Sequence, residues 1–108
     1  MQMTARTNLS VRARFFDGLA EPSRLMILQA LRDGERTCGV VAAETGLSPS
    51  SASRHLACLR ECGLIEARQE WRHVYHRLAD GVAALLDAND VFIDRVADRI
   101  AACTRSPR

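Results

Sequence analysis

Gly46–Ile65 reads GLSPSSASRHLACLRECGLI. Leu47-Ser48-Pro49-Ser50 is a turn that leads into a helix, with Ser48 or Ser50 available as its cap. In that helix Ala52, Leu56 and Leu59 share one stripe, and Gly63 stops it. Cys58 and Cys62 stand four residues apart, about one helical turn, so both sulfurs project from the same face.

Just upstream, Thr37 can cap a shorter helix, CGVVAAETG, that ends at Gly46. A short helix, a glycine-containing turn and a second capped helix match the helix-turn-helix pattern. Before it, Glu21-Pro22-Ser23 starts a helix whose apolar residues are Leu25, Ile27, Leu28 and Leu31, with Gly34 as its stop. Earlier still, Val11, Phe15, Phe16 and Leu19 suggest an amphipathic helix from Leu9 to about Ala20.

Downstream, LIEARQEWRHVYHRL alternates and is rich in β-branched and aromatic residues. It predicts two strands, about 64–69 and 72–78, with a turn near Glu70-Trp71 that lacks an Asn-Gly or Asp-Gly signal. A hairpin straight after a helix-turn-helix is a wing. From Asp80 to about Cys103, residues Val82, Leu85, Leu86, Phe92, Ile93, Val96 and Ile100 recur at helical spacing. That stripe is more than one small chain needs, so it is expected to pack against a partner chain together with the first helix.

The expected fold is therefore mainly α with a β-hairpin wing, a winged helix-turn-helix dimerising through its first and last helices. Residues 1–8 and 104–108 are expected to be flexible ends around one domain at 9–103. A chain of 108 residues builds one modest core. No apolar run is long enough to span a bilayer and there is no signal-peptide core, so the expected location is the cytoplasm, with no membrane partner. Cysteines there stay reduced, and the four in this chain suit metal binding or catalysis better than disulfides.

The net charge of +2 is too small to establish a polyanionic partner. All 15 basic residues are arginine, the better residue for bidentate phosphate and guanine contacts, although a genome rich in G and C explains the bias equally. Residues 1–14 carry Arg6, Arg12 and Arg14 with no acid, while 80–98 carry five aspartates against Arg95. The acidic C-terminal segment should face away from nucleic acid. An enzyme is not expected: no Cys-x-x-Cys redox pair, phosphate-binding glycine loop or nucleophile–base–acid set is present.

The runs Leu19–Glu35 and Val41–Leu78 resemble the ArsR/SmtB winged-helix metalloregulators, and GLSPSSASRHLACLRECGLI is the specific part of that resemblance. It extends over roughly residues 9–103. Cys58, Cys62 and Cys103 look like the cadmium- and lead-sensing CmtR branch of that family. The resemblance implies a site made by two recognition-helix cysteines and one near the C-terminus of the other protomer. The chain departs from the family at the wing tip, where glycine and arginine are usual and Trp71-Arg72 stands here. It also lacks the Cys-x-Cys near the third helix, having Cys38 alone, and lacks histidine on the last helix, which weakens the other two site types.

Taken alone, a Cys-x-x-x-Cys pair reads as two small packed residues. Residues spaced about 100° apart put Cys58 and Cys62 on a flank of the apolar stripe, among arginine and serine neighbours. Cys103 lies at the far end of the expected dimer helix. Three thiolates would suit Cd2+ or Pb2+ as inducer, with Zn2+ possible, and zinc would call for a fourth ligand such as His55. The other reading of His55 is a scaffold or DNA-facing residue; Cys38 reads as a packed or reactive bystander.

A recognition helix enters the major groove with its N-terminal residues toward the bases. That makes Ser50, Ser51, Ser53, Arg54 and His55 the candidate DNA contacts, with Arg54 for a base edge and the serines for phosphates. On the wing, Arg72 and His73 are candidates. Arg68 and Arg77 are balanced between DNA contact and ordinary solvated charge. The expected function is a homodimeric repressor that binds double-stranded operator DNA, not RNA, and releases it on soft-metal binding. The alternative is a thiol redox-sensing repressor of the same fold.

Overall fold

The computed structural model describes residues 8–103, so the expected flexible ends lie outside the described residues except for Asn8. Helix α1 (Leu9–Leu19) starts there, because the Asn8 side-chain oxygen accepts the Val11 amide at 3.0 Å. Helix α2 (Pro22–Leu31) opens on Glu21, whose carboxylate accepts the Arg24 amide at 2.8 Å. Helix α3 (Cys38–Thr45) is capped by Thr37 and closed by Gly46, at φ 78°. These caps satisfy amides that a helix start leaves without a partner.

Helix α4 (Pro49–Glu61) decides between the two serines offered by the sequence. Ser48 is the cap, and its hydroxyl accepts the Ser51 amide at 3.1 Å. At the other end Cys62 is the C-cap and Gly63 takes φ 79°. The Leu64 amide reaches the Leu59 carbonyl at 3.0 Å and the Gly63 amide the Arg60 carbonyl at 3.1 Å. That is a Schellman ending, and it turns the chain directly into the sheet.

Strands β2 (Ile65–Glu70) and β3 (His73–Leu78) pair antiparallel, from Ile65 opposite Leu78 to Glu70 opposite His73. The loop is therefore Trp71-Arg72, one residue later than the expected turn. Trp71 has φ 59°, the positive-φ position that a two-residue hairpin loop normally gives to glycine. A third strand, β1 (Arg36–Thr37), was not expected; it pairs with β3, giving the order β1-β3-β2.

The core gathers the expected stripes. Ile27, Leu28 and Leu31 of α2 meet Val41 of α3, Ala52, Leu56 and Leu59 of α4, and Leu64 and Ile65 at the start of the wing. Helix α5 (Val82–Ala102) begins after Gly81 and contributes Val82 and Leu86 to this core. Arg32, at the end of α2, pairs with both Asp87 and Asp90 and pins the first half of α5. Beyond it Val91, Phe92, Ile93 and Ile100 are exposed, as are Leu9, Val11 and Phe16 of α1. No helix among the described residues is long and apolar enough to cross a membrane.

Candidate nucleic-acid interface and cysteine site

Because α4 buries Ala52, Leu56 and Leu59, the remaining residues of its first turns face outward. Ser50, Ser53 and Arg54 are exposed, and Ser51 and His55 are half-buried. Ser50 lies 3.5 Å from Ser48, oxygen to oxygen, and the Ser51 amide serves the cap. Arg54 stands where a side chain can reach a base edge from the N-terminal half of a helix.

On the wing the arginines divide. Arg68 donates to both carboxylate oxygens of Glu35, at 2.7 and 2.9 Å, and to Glu70 at 2.7 Å. It also lies 4.8 Å over the Tyr75 ring. Its hydrogen bonds to Glu35, then to Glu70, raise its pKa, and the same bond holds the Glu35 carboxyl below its usual range. Arg77 pairs with Glu66 and, more distantly, Asp80. Both are thus engaged within the protein. Arg72 and His73 are exposed at the tip, with Arg72 5.1 Å over the Trp71 ring and His73 6.1 Å from Tyr75.

The cysteine flank of α4 lies against the start of α2. Arg24 donates from Nη1 to Cys58 Sγ at 3.2 Å. Its Nε is buried without a hydrogen-bond acceptor, the nearest carboxylate oxygen being Glu21 Oε2 at 3.8 Å. Glu21 is held below the usual carboxylate range, first by the Arg24 amide and further by the Ser23 amide, against its desolvation. So Arg24 joins Glu21 to Cys58. Sequence reading missed Glu21 and Arg24 here, because Arg24 is 34 residues from Cys58 and no local pattern connects them.

Cys58 is half-buried and Cys62 exposed. Desolvation at the helix end pushes the Cys62 thiol up, and the charge of Cys58 and a hydrogen bond with it act in the same sense; Arg24 opposes them. The two thiols are therefore neighbours, as their spacing required. Cys103 caps the far end of α5 and is exposed. Within one chain, no three His, Cys, Asp or Glu side chains among the described residues converge on a metal position. Cys38 lies apart, its sulfur 3.8 Å from the Pro49 carbonyl.

A three-helix core, an exposed helix behind a tight turn and a two-stranded wing define a winged helix-turn-helix DNA-binding protein. Residues 21–67 match the family model of bacterial regulatory proteins of the arsR family. The probable mercury resistance operon repressor of Streptomyces lividans is 38% identical over 106 residues, covering 94% of this chain and 82% of that protein. The chain belongs to the arsR family, a family of transcriptional regulators and not of enzymes.

The HTH-type transcriptional regulator CmtR of Mycobacterium tuberculosis is 46% identical over 78 residues, 72% of this chain and 66% of CmtR. The NMR structure of the cadmium metal-sensor CMTR from the same organism has a TM-score of 0.62 at 47% identity, covering 70% of this chain and 80% of that one. A second similar structure is the homodimeric winged helix-turn-helix domain of a possible ArsR-family regulator from Mycobacterium bovis. Its TM-score is 0.76 at 32% identity, with 96% of each chain covered.

Proposed function

We propose that this protein is a homodimeric repressor whose operator DNA is released when a soft metal ion binds Cys58, Cys62 and the Cys103 of a second copy. The observation that carries this reading is the neighbouring thiol pair on the flank of the DNA-facing helix, with no third ligand converging on it among the described residues. The third thiolate in this reading is Cys103, an exposed cysteine at the end of α5. Likeness to a cadmium sensor and to a mercury resistance repressor supports the same chemistry.

The donor set fits a soft cation. Thiolates select Cd2+, Pb2+ or Hg2+ over hard ions, and three of them leave Zn2+ short of its usual four ligands. Ligation would supply a charge strong enough to remove the thiol protons, so affinity rises with pH. Cys58 and Cys62 would be tied to the second chain's α5, which biases how far apart the two α4 helices stand. Ser50, Ser51, Ser53, Arg54 and His55 on α4, with Arg72 and His73 on the wing, are the DNA contacts that such a shift would mismatch with their half-sites. Arg24 is the residue that ligation at Cys58 must disturb, and it sits on the core helix α2.

An anaerobic cadmium titration followed by ultraviolet thiolate–metal absorption tests the site, with operator affinity measured in parallel. Wild type should lose about 5- to 150-fold in DNA affinity when metal is bound, the usual size of allosteric coupling. Cys103→Ser should change the stoichiometry or spectrum. Identical binding by Cys103→Ser refutes the three-thiolate site, and metal-insensitive operator binding refutes the switch.

A further inference from the structure

Trp71 is the sole tryptophan of the chain and, among the described residues, the most exposed large apolar side chain, at 82%. It occupies the first loop position of the wing at φ 59°, where an L side chain is disfavoured and glycine is at ease. The turn's polar contact, the Gln69 side chain donating to the Trp71 carbonyl at 3.4 Å, would be made with any residue there, and the indole's own contact is with the also exposed Arg72, whose guanidinium lies over it. A strained backbone holding a large aromatic ring in solvent is a stability cost that one exposed cation–π contact offsets only in part.

The charge at the tip indicates what the ring meets. Arg68 and Arg77 are neutralised by Glu35, Glu70, Glu66 and Asp80. Arg72 alone among the wing arginines has no carboxylate partner among the described residues, and its guanidinium lies 5.1 Å over the indole. The positive charge of the hairpin is thus concentrated on an aromatic plate at its end. Such a pair fits a polyanion with flat apolar surfaces, because the cation meets phosphate while the ring packs on sugars and base edges. A narrow minor groove favours inserted arginine, and apolar side chains serve there as wedges.

We infer that Trp71 and Arg72 form a minor-groove anchor, in which the indole packs into the DNA flanking the major-groove site and Arg72 engages the adjacent phosphates. This rests on DNA binding by the wing and is independent of the metal reading.

The test uses full-length protein and a duplex that wild type selects from a random-sequence pool. Saturating that duplex should shift and quench the emission of the single tryptophan. Trp71→Gly should keep or raise the thermal midpoint, since glycine relieves the positive φ, yet lose on the order of tenfold in DNA affinity. Trp71→Phe should recover much of that loss. Arg72→Gln should make the salt dependence shallower by about one counterion. Unchanged emission at saturation, or wild-type affinity in Trp71→Gly, overturns the anchor. A lower thermal midpoint in Trp71→Gly overturns it too, because the ring would then be structural. Failure of wild type to select any duplex overturns the DNA-binding premise itself.

Discussion

His76 is the buried ionisable side chain of the core, 5% exposed on the middle strand β3. Its Nδ1 has no hydrogen-bond partner. Burial lowers its pKa below the ordinary 6.5; a hydrogen bond with the Arg36 backbone opposes this, and Arg60 adds to it. A proton therefore binds the unfolded chain more readily than the folded one. The stability tied to neutral His76 is fully present above about pH 6.5 and is lost as the pH falls below that value. Urea midpoints between pH 7.5 and 5.5 should decline in wild type and stay flatter in His76→Gln. Equal slopes in the two proteins would show that another group titrates in this window. Glu21 and Glu35 act oppositely in range: their lowered values contribute above about 4.5 and fail only as the pH falls through that lower region.

Helix α4, which the proposed function turns toward DNA, owes its start to one hydroxyl. Ser48 accepts the Ser51 amide and leaves the exposed serines and Arg54 free to face outward. Ser48→Ala should cost about 1 kcal/mol of stability, readable as a lower urea midpoint with an unchanged slope. The loss should be the same with and without metal, since the cap lies at the opposite end of α4 from Cys62. Ser50→Ala should cost little, because Ser50 does not cap. The wing is pinned differently: Arg68 joins β2 to Glu35, at the end of the α2–β1 connection, with a bidentate geometry that a lysine could not reproduce.

In the whole molecule, α5 has two unlike halves. The first half is seated by Leu86 in the core and by Arg32 on Asp87 and Asp90. The second half exposes Val91, Phe92, Ile93 and Ile100, with Leu9, Val11 and Phe16 exposed on α1. A second copy of the chain is the cover that the proposed function requires for this surface. Phe92, 60% exposed, is where that requirement is cleanly checked. Phe92→Asp should leave the circular dichroism spectrum intact while shifting sedimentation toward monomer. It should also weaken operator binding, because two linked half-sites bind far better than one. A wild-type dimer constant in that variant would place the interface elsewhere.

Much of this was legible from the chain alone. The helices announce themselves through apolar spacing and caps, both local features, so their limits were read to within a residue or two. The cysteine pair was legible for the same reason, since a four-residue spacing fixes two side chains on one face. The wing was legible as a hairpin, but its register was not: Trp71 sits in a turn conformation whose usual glycine signal is missing. Strand β1 is two residues long and exists only because β3 pairs with it. The Arg24–Cys58 contact and the Arg68–Glu35 bridge join residues 34 and 33 positions apart. Sequence by itself determined the elements, the family resemblance and the facing of the thiols, because bonds three and four residues apart are written in local spacing. Only the tertiary structure decided which charges are already paired and which, like Arg72 beside Trp71, have no carboxylate among the described residues, because that depends on distant segments brought together by the core.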